Sequence, residues 1–465
     1  MDRTFLVVLG MIVVYASFFI FFMLSKHYSF MTYMYDLGVY DNVFWNILAF
    51  GDQGFPFAGN QQSQLVYLLL PIYALSSNAV TLLIIQSVIV PLGAIPLYKL
   101  AKMELGGSKL ALFIVLAYLL YPPLHGASSF DFHLQSFLPT FFLAAAYYYR
   151  SSKWKRYILF LILVLITTRY ASYLAATFGI YLLLPHLKSI VTTRKADLSS
   201  ILTNPRVKFA IITVIASSFL ILIHNMVQIE GFWITPTNPI GISFEDKFMY
   251  FFKLYGPLGF ISMLNPGHIL AASPWIGATL VTDNIEYLVI YNHHSTFIIA
   301  FLFIGLVQGI KKMSLQGRKE SIVLILIATV IFFSTVDPVA SDPYQPITPG
   351  WPSVTEMDLA LVNITETIPE NASVFTQNNI APHLSNRQEI WITFDKIDVY
   401  PDYIIVDMGH YSYYDPSFGQ SPASVLPQLL DSGKYGLKIQ CGETISLYQK
   451  EYRGDTINPQ MCIEK

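Results

Sequence analysis

Residues 4–24 read TFLVVLGMIVVYASFFIFFML and contain no charged side chain. A run of about 20 apolar residues is long enough for an α-helix to cross the hydrocarbon core of a bilayer. The run follows Met1, Asp2 and Arg3 and has no small-residue cleavage site at its end, which is typical of a retained anchor rather than a removed signal peptide. We therefore expect this stretch to span the membrane, with the N-terminus in the cytoplasm.

The same composition extends along most of the chain. Of 465 residues, 54% are hydrophobic and 12% are charged, whereas an average soluble domain has about 25% charged residues. These proportions exclude a disordered chain and indicate an α-helical polytopic membrane protein. We predict about 9–11 transmembrane helices over residues 1–336. Hydropathy places candidate spans near residues 4–24, 79–99, 108–124, 134–149, 157–185, 207–226, 295–310 and 320–335, with weaker apolar stretches at 64–76, 248–262 and 268–282.

Charge is distributed unevenly along the chain. Residues 336–465 hold 17 acidic and 7 basic residues, a net charge of −10, whereas residues 1–335 hold 13 acidic and 21 basic residues, a net charge of +8. The sequence has no basic patch with interleaved aromatic residues, so it gives no support for nucleic-acid binding. The basic residues between spans form four clusters, which are Lys99 and Lys102; Arg150, Lys153, Lys155 and Arg156; Lys188, Arg194, Lys195, Arg206 and Lys208; and Lys311, Lys312, Arg318 and Lys319.

These clusters set the predicted topology, because basic loops of membrane proteins are enriched on the cytoplasmic side. All four fall on that side under three conditions: residues 25–78 form one external segment, residues 157–185 form two short helices broken at 167–169, and residues 248–282 cross as a hairpin or not at all. The resulting external loops are 25–78, 122–134 and 227–295. Everything after Asp337 is then extracytoplasmic, in a multi-pass protein of the cell membrane.

The acidic C-terminal part reads as a separate small domain. A Pro-rich linker at residues 337–352 precedes an extracytoplasmic domain at 353–465, in which short apolar runs at 373–376, 403–406 and 444–448 predict the strands of an α/β fold. Both cysteines, Cys441 and Cys462, lie here and suit a disulfide in an oxidising compartment, and two unpaired thiols are the alternative. Glycosylation sequons at Asn363 and Asn371 agree with an external location.

The predicted topology collects unusual polar side chains on the external side of the membrane. Ionisable residues at a lipid boundary are energetically expensive and frequently functional. We expect these groups, which are far apart in sequence, to share one cavity. They are Asp36, Asp41, Asp52, Asp131, His133, Arg169, Asp283, Glu286, His293 and His294. Six of them are the candidate site residues: Asp36, Asp131, His133, Arg169, His293 and His294.

Asp36 lies at the beginning of a predicted interfacial helix. Leu37, Tyr40, Phe44 and Ile47 recur at helical spacing, which indicates a short amphipathic helix. One interpretation is that Asp36 caps this helix. The other is that its carboxylate takes a proton from an incoming hydroxyl or coordinates a metal ion.

Asp131 and His133 lie two residues apart, so their side chains share a side only if the segment is extended. Together with Asp36 they offer oxygen and imidazole donors to a divalent cation, which is the candidate cofactor, although no metal signature such as HExxH is present. The adjacent His293 and His294 are either interfacial polar residues or include one ligand or substrate contact.

Arg169 interrupts an apolar stretch that runs from Ile158 to Leu184. A guanidinium in this position must reach water or pair with an anion, and phosphate is a partner that it recognises well. Arg169 is therefore a candidate phosphate-binding residue. Pairing with Asp36 or Asp131 is the alternative.

Several segments of the chain resemble the domain-of-unknown-function 2079 (DUF2079) family of predicted prokaryotic membrane proteins. The resemblance spans nearly the whole chain, and its more specific parts are Asp131-Phe132-His133 and Pro382–Arg387. The similar segments are Asp36–Gly38 with Trp45, Leu70–Tyr73 before Gln86, Pro96–Tyr98, Tyr118–Pro122 followed by Asp131–His133, and Ala381–Arg387 before Tyr403–Asp407.

That family is similar in layout to GT-C glycosyltransferases, and the resemblance implies their fold, a polyprenyl-phosphate-linked sugar donor and a soluble outer domain. It implies that Asp36 matches the catalytic acidic residue of the first external loop. It also implies that Asp131 matches a second-loop acidic position associated with metal or acceptor. At Thr168-Arg169-Tyr170 the expected basic residue is present, whereas the Glu-Asp pair expected after it is absent.

The leading hypothesis is a membrane glycosyltransferase-like enzyme that moves a sugar from a polyprenyl-phosphate donor to an acceptor on the outer face. Asp36 would be the general base, Asp131 and His133 would orient the acceptor or hold a divalent cation, and Arg169 would neutralise the leaving phosphate. Two alternatives remain open. One is a transporter or flippase for a lipid-linked substrate, and the other is a non-catalytic membrane-anchored binding or assembly protein.

Overall fold

A bundle of helices over residues 3–336 precedes a small unit of strands and helices in the computed structural model of the chain. The structure describes residues 3–51, 63–193, 203–226, 242–339, 351–394, 399–409 and 422–459, with side chains given outside 187–193. This architecture confirms the predicted class, a mostly α-helical membrane protein with a C-terminal α/β unit.

The bundle helices are numbered here in chain order. They are α1 (Arg3–Tyr28), α2 (Val39–Phe50), α3 (Leu65–Tyr73), α4 (Ala79–Ile89), α5 (Ala94–Leu105), α6 (Ser108–Leu119), α7 (Pro122–Ser129), α8 (Leu138–Arg150), α9 (Trp154–Thr167), α10 (Ala171–Thr193), α11 (Pro205–Met226), α12 (Phe244–Tyr255), α13 (Gly267–Ala271), α14 (Ser273–Val281), α15 (Thr296–Lys312) and α16 (Leu315–Val336).

Five helical segments within the described residues are long and apolar enough to cross a membrane, and the pair α6 and α7, bent by 48°, makes a sixth. The five are Arg3–Tyr28, Ala79–Leu105, Pro205–Met226, His293–Lys312 and Leu315–Val336. Other apolar helices are shorter, such as α8 with 13 residues and α9 with 14. Length alone therefore counts fewer spans than the roughly 9–11 expected from hydropathy, because hydropathy also counts short helices that are buried in protein.

The apolar stretch from 157 to 185 is interrupted where the sequence predicts a break. Helix α9 ends at Thr167, and α10 begins at Ala171. Thr168 is extended, with φ −159° and ψ 150°, which stops the helical hydrogen-bond pattern. The prediction of two helices with Arg169 between them is confirmed.

The region from 248 to 282 forms a series of short helices rather than one span. Helices α12, α13 and α14 have 12, 5 and 9 residues. They and the 3-10 turns between them pack against α10, α15 and α16. The charge pattern left two options for this region, a hairpin that crosses the membrane or no crossing. None of these three helices reaches the length that a bilayer requires.

Helix α15 forms the centre of the bundle. Of its apolar span, 89% is buried inside the protein, compared with 28% for α1 and 17% for α16. Lipid supplies little hydrophobic force between helices, so close backbone approach becomes important. At Gly309 a Cβ atom would lie 2.5 Å from the Ile261 carbonyl oxygen, so the absence of a side chain lets α15 approach this turn.

The bundle has one basic end and one end that carries the predicted site. Near the start of α1, Thr4 Oγ1 lies 2.7 Å from the Tyr98 hydroxyl, and Lys99 Nζ lies 5.4 Å from the Phe5 ring. Glu104 forms ion pairs with Arg150 and Lys311 at this same end. Residues of different basic clusters therefore meet at this end. Helix α1 has 26 residues and is about 39 Å long, so its last turn lies far from this end.

The C-terminal unit contains a five-stranded mixed sheet. Its strands are β1 (Val374–Thr376), β2 (Ile390–Trp391), β3 (Tyr403–Asp407), β4 (Tyr435–Cys441) and β5 (Ile445–Lys450), with helices α17 (Glu356–Glu366) and α18 (Pro422–Asp431). The strand order is β2-β1-β3-β5-β4, with β1 parallel to β2 and β3, and β5 antiparallel to β3 and β4. The three strands predicted from sequence are confirmed as β1, β3 and β5.

Two predictions for the C-terminal part fall partly outside the described residues. Most of the predicted linker, residues 340–350, lies there, and so does Cys462. Cys441 is buried at the end of β4. Trp351 packs edge-on against Phe18 and Phe22 of α1, with ring centroids 5.4 and 5.1 Å apart. The C-terminal unit therefore begins beside the first helix.

We expect Gly309→Ala to destabilise the bundle by about 1–3 kcal/mol, since the new methyl group overpacks the contact with Ile261. The measurement is thermal unfolding of the purified protein in detergent. Gly10→Ala in α1 is the matched control, because a Cβ atom there meets nothing within 4 Å. A melting temperature for Gly309→Ala equal to that of Gly10→Ala would contradict the packing described here.

Candidate functional site

Asp36 lies in a short π-helical turn, Met34–Gly38, that leads directly into α2. The predicted short helix is therefore present, with Asp36 at its start. No side-chain capping bond is found at either helix start, so the capping interpretation does not describe this carboxylate. Instead Asp36 Oδ1 lies 3.1 Å from His133 Nε2, and the Asp36 side chain is 25% exposed.

The two ring nitrogens of His133 have different neighbours. Its Nδ1 lies 3.2 Å from the carbonyl oxygen of Asp131. A carbonyl oxygen only accepts hydrogen bonds, so Nδ1 is the donor in this contact. The other nitrogen, Nε2, faces the partly exposed Asp36 carboxylate at 3.1 Å.

Asp131 is adjacent to this pair, but its carboxylate has other partners. Oδ1 accepts a hydrogen bond from Lys26 Nζ at 3.0 Å, and Oδ2 accepts one from the Tyr33 backbone N–H at 2.7 Å. Both charged side chains are buried. Burial raises the pKa of the Asp131 carboxyl, and the Lys26 ammonium opposes that rise. Asp131 thus ties the last turn of α1 to the loop that carries His133.

Gln86 on α4 holds the same loop from the other side. Its Nε2 donates to the carbonyl oxygens of Ala127 and Phe130 at 3.2 and 3.1 Å, and its Oε1 accepts from the His133 backbone N–H at 2.8 Å. Gln86 is buried. The sequence analysis did not select Gln86 or Lys26, although each is a lone polar or charged group within or at the end of an apolar span.

His293 and His294 join the cluster through ring stacking. The His133 and His293 rings stack with centroids 3.6 Å apart and an interplanar angle of 13°. His294 lies 4.1 Å from His293 and stacks on Tyr287 at 4.6 Å. His293 Nδ1 is buried and has no hydrogen-bond partner within the described part of the chain. The structure therefore brings Asp36, His133, His293 and His294 into one contact cluster.

The proposed cation ligands do not converge on a common point. Within the described ranges no three His, Cys, Asp or Glu side chains are arranged to hold a metal ion. Asp131 is oriented toward Lys26, and the parallel stack of His133 and His293 keeps their ring nitrogens in separate planes. The pair of Asp36 and His133 provides only two ligand atoms for a cation.

Arg169 lies at the break between α9 and α10. Its Nη2 donates to the Tyr170 hydroxyl at 2.9 Å, and its guanidinium carbon lies 4.9 Å from that ring. The ion pairs of Asp36 and Asp131 go to His133 and Lys26 rather than to Arg169. A row of ring contacts, none wider than 6.4 Å, connects Arg169 to the cluster through Tyr170, Phe297, Trp275, His294, His293 and His133.

The C-terminal unit docks directly on the segment around Asp36. Asn378 Oδ1 accepts hydrogen bonds from the backbone N–H groups of Met34 and Tyr35 at 2.8 and 3.3 Å. Asn42 Nδ2 donates to the carbonyl oxygens of Ser385 and Arg387, both at 2.8 Å. These contacts flank Asp36 on both sides in sequence, so residues 34–42 are held between the bundle and the C-terminal unit.

A buried carboxyl lies in this docking contact. Asp41 accepts hydrogen bonds from the Tyr73 and Ser385 hydroxyl groups, both at 2.6 Å. Burial raises the pKa of Asp41 to about 7, and these two hydrogen bonds oppose the rise. The sequence analysis grouped Asp41 with the external polar residues without giving it a role, and it did not select Ser385.

Comparisons with known proteins agree on family and fold. The family model described as "Predicted membrane protein (DUF2079)" matches residues 26–442. The structure of ArnT from Cupriavidus metallidurans bound to undecaprenyl phosphate aligns over 96% of this chain and 98% of that chain, with a TM-score of 0.53 and 11% identity. The apo ArnT structure aligns over 89% and 93%, with a TM-score of 0.50 and 11% identity. No curated protein matches the sequence. At this identity the alignments show a shared GT-C fold.

We expect Lys26→Met to destabilise the protein by about 3–5 kcal/mol, because it leaves the Asp131 carboxylate buried without its cation. The double variant Lys26→Met with Asp131→Asn removes both charges and should recover a large part of that loss. Thermal unfolding of the single and double variants forms a double-mutant cycle. Additive effects of the two substitutions would show that the pair is not coupled.

We also expect the stability of the protein to depend on pH through Asp41. Its pKa is about 7 in the folded protein and about 3.9 in the unfolded chain, so the folded state binds the additional proton between these values. The contribution of Asp41 to stability is complete below about pH 4, falls as pH rises to about 7, and stays low above it. Asp41→Asn should abolish this dependence, so its melting temperature relative to the unmodified protein should increase from pH 4.5 to 8. A constant difference would contradict the assignment.

Proposed function

The chain belongs to the DUF2079 family of predicted membrane proteins, and from this membership and its GT-C fold we propose that it transfers a sugar from a polyprenyl-phosphate carrier to an acceptor beside Asp36. The observation that supports this most directly is the pairing of Asp36 with His133. A carboxylate that is partly exposed at the end of an apolar bundle, and oriented by a buried imidazole, suits a general base.

In the proposed reaction the acceptor hydroxyl or amide gives its proton to Asp36 while its oxygen or nitrogen attacks the anomeric carbon of the donor. The bond between that carbon and the phosphate oxygen breaks, and the polyprenyl phosphate leaves with the bonding electrons. His133 Nε2 lies 3.1 Å from Asp36 Oδ1, and we assign His133 the role of a positioning residue that holds the carboxylate toward the acceptor.

Arg169 is the residue that we propose for the leaving phosphate. A guanidinium forms strong bidentate hydrogen bonds to phosphate oxygens. The break between α9 and α10 places it away from regular helix, and the Tyr170 ring packs against its guanidinium group. Exposed apolar side chains on the neighbouring helices, Ile162 on α9 and Phe219 on α11, offer the prenyl chain an approach from the lipid. His293 and His294 lie between Arg169 and Asp36 in the row of rings, where a bound sugar would contact them.

Asp131 has a different role from the one that its position in the sequence suggests. Lys26 and the Tyr33 N–H occupy both of its oxygens, so we propose that it positions the loop of His133 rather than reacting. Among the residues that the structure describes, no three donor side chains form a metal site, and the proposed reaction is written without a metal ion.

The orientation in the membrane is also a proposal. Basic residues of several loops meet at the end of the bundle that holds Thr4, and the positive-inside bias assigns that end to the cytoplasm. The Asp36 cluster and the C-terminal unit then lie on the outer face. The sequons at Asn363 and Asn371 and the proposed Cys441–Cys462 disulfide agree with this side.

We expect Asp36→Asn to reduce transfer by about 10²–10⁴-fold, the usual contribution of a general base, and to leave undecaprenyl phosphate binding unchanged. Arg169→Gln should instead weaken undecaprenyl phosphate binding. Transfer is measured as the change in surface glycans of a host whose chromosomal copy is replaced, and binding as ligand-induced thermal stabilisation of the purified protein.

Glu286→Gln is the matched control for charge, because Glu286 is an exposed carboxylate outside the cluster. The surface glycans of the strain that carries this variant should match those of the unmodified strain. Unchanged glycans in the Asp36→Asn strain, with normal protein level, would refute the catalytic role. That result together with intact lipid binding would favour a transporter or flippase. Loss of lipid binding on Asp36→Asn would contradict the division of roles between Asp36 and Arg169.

A further inference from the structure

A second polar site lies at the basic end of the bundle, remote from Asp36. A cavity of about 200 Å³ opens there between the ends of α8 and α10 and the start of α11. Its polar lining consists of Tyr149, Arg150, Tyr181, His186, Arg206, Asn265 and Gln308. We call it the Arg150–Arg206 cavity. None of these residues takes part in the contacts around Asp36.

The cavity carries an excess of positive charge. Glu104, close to its wall, lies 2.6 Å from Lys311 Nζ and 3.5 Å from Arg150 Nε, so one carboxylate faces two cations. No carboxylate within the described ranges lies within 4.0 Å of the Arg206 guanidinium. Its Nη2 donates a hydrogen bond to the Arg150 carbonyl oxygen at a distance of 3.5 Å. An anion between the two guanidinium groups would balance this charge.

The wall of the cavity is held in place by hydrogen bonds within the protein. The Tyr149 hydroxyl donates to the Arg206 carbonyl oxygen at 3.0 Å, and Gln308 Nε2 donates to the Tyr181 hydroxyl at 2.5 Å. Helix α11 begins at Pro205 and runs for 22 residues, so the positive end of its dipole adds to the field at Arg206. The cavity therefore combines two guanidinium groups, a helix start and fixed hydroxyl and amide groups.

We propose that the Arg150–Arg206 cavity binds a phosphate group. A guanidinium group matches the geometry of phosphate oxygens, two of them line the cavity, and the volume accommodates a phosphate with part of its attached group. Leu184, which also lines the cavity, is 39% exposed, so the cavity borders an apolar surface. Two sources share this chemistry: the headgroup of an anionic lipid in the adjoining leaflet, and a soluble phosphate compound. The inference goes beyond the proposed sugar transfer and does not depend on it.

The test is thermal unfolding of the full-length protein in detergent at constant ionic strength. Inorganic pyrophosphate is titrated in one arm, dioleoyl phosphatidic acid in mixed micelles in the second, and dioleoyl phosphatidylcholine in the third as the zwitterionic comparison. We expect phosphatidic acid, pyrophosphate or both to stabilise the protein. Arg206→Gln should weaken the apparent affinity about tenfold, which is the usual effect of losing one charge-assisted hydrogen bond.

Arg156→Gln is the matched control, since Arg156 is an exposed arginine at the same end that does not line the cavity. Its response should stay within about twofold of the unmodified protein, because distant surface charges are screened. Stabilisation by phosphatidic acid alone identifies a headgroup, and stabilisation by pyrophosphate as well identifies the phosphate group itself.

Two outcomes would overturn the proposal. One is the absence of stabilisation by both phosphatidic acid and pyrophosphate, and the other is an equal loss of affinity in Arg156→Gln and Arg206→Gln. Arg150→Gln is a second variant of the site, although Arg150 also contacts Glu104. Arg206→Gln is therefore decisive, because the 3.5 Å contact with the Arg150 carbonyl is the hydrogen bond that its guanidinium forms within the described residues.

Discussion

The buried ion pair between Lys26 and Asp131 is the contact on which the polar end of the bundle depends. Two charges that are removed from water stay ionised only when they neutralise each other and their remaining hydrogen-bond capacity is used. Lys26 also donates to the Ser129 carbonyl oxygen, and Asp131 accepts from the Tyr33 N–H. These bonds fix three chain segments relative to each other: the last turn of α1, the start of the first loop and the loop of His133. The distance from Asp36 to His133 follows from that arrangement, and Gln86 on α4 reinforces it.

The sequence predicted the fold best where a single local property decides it. The lack of charge in residues 4–24 identified a membrane helix, and the polar triplet at 167–169 identified the break between α9 and α10. Short apolar runs identified β1, β3 and β5. The sequence left open whether residues 248–282 cross the membrane, because an apolar segment of this length has the same composition whether it crosses lipid or folds into short helices against α15. That choice is made by tertiary packing, which a local pattern does not record.

The candidate site was predicted in part. Grouping polar residues by the side of the membrane selected Asp36, His133, His293 and His294, which the structure brings into contact. The partners that hold the His133 loop were not found, since Lys26 and Gln86 act through residues about 40 to 105 positions away. Spacing also suggested that Asp131 and His133 work side by side. The His133 segment is extended as required, but the Asp131 carboxylate turns to Lys26, because a buried negative charge must satisfy its own solvation first.

The docking of the C-terminal unit on residues 34–42 has a consequence for biosynthesis. Asn42 and its partner Ser385 are separated by 343 residues, and at roughly 5–20 residues per second the ribosome needs tens of seconds to make that interval. During this time Asn42 lacks Ser385 and Arg387, and Asp41 lacks Ser385. A nascent or truncated chain therefore holds residues 34–42 by bundle contacts alone. The arrangement around Asp36 is completed only when the C-terminal unit docks on this segment.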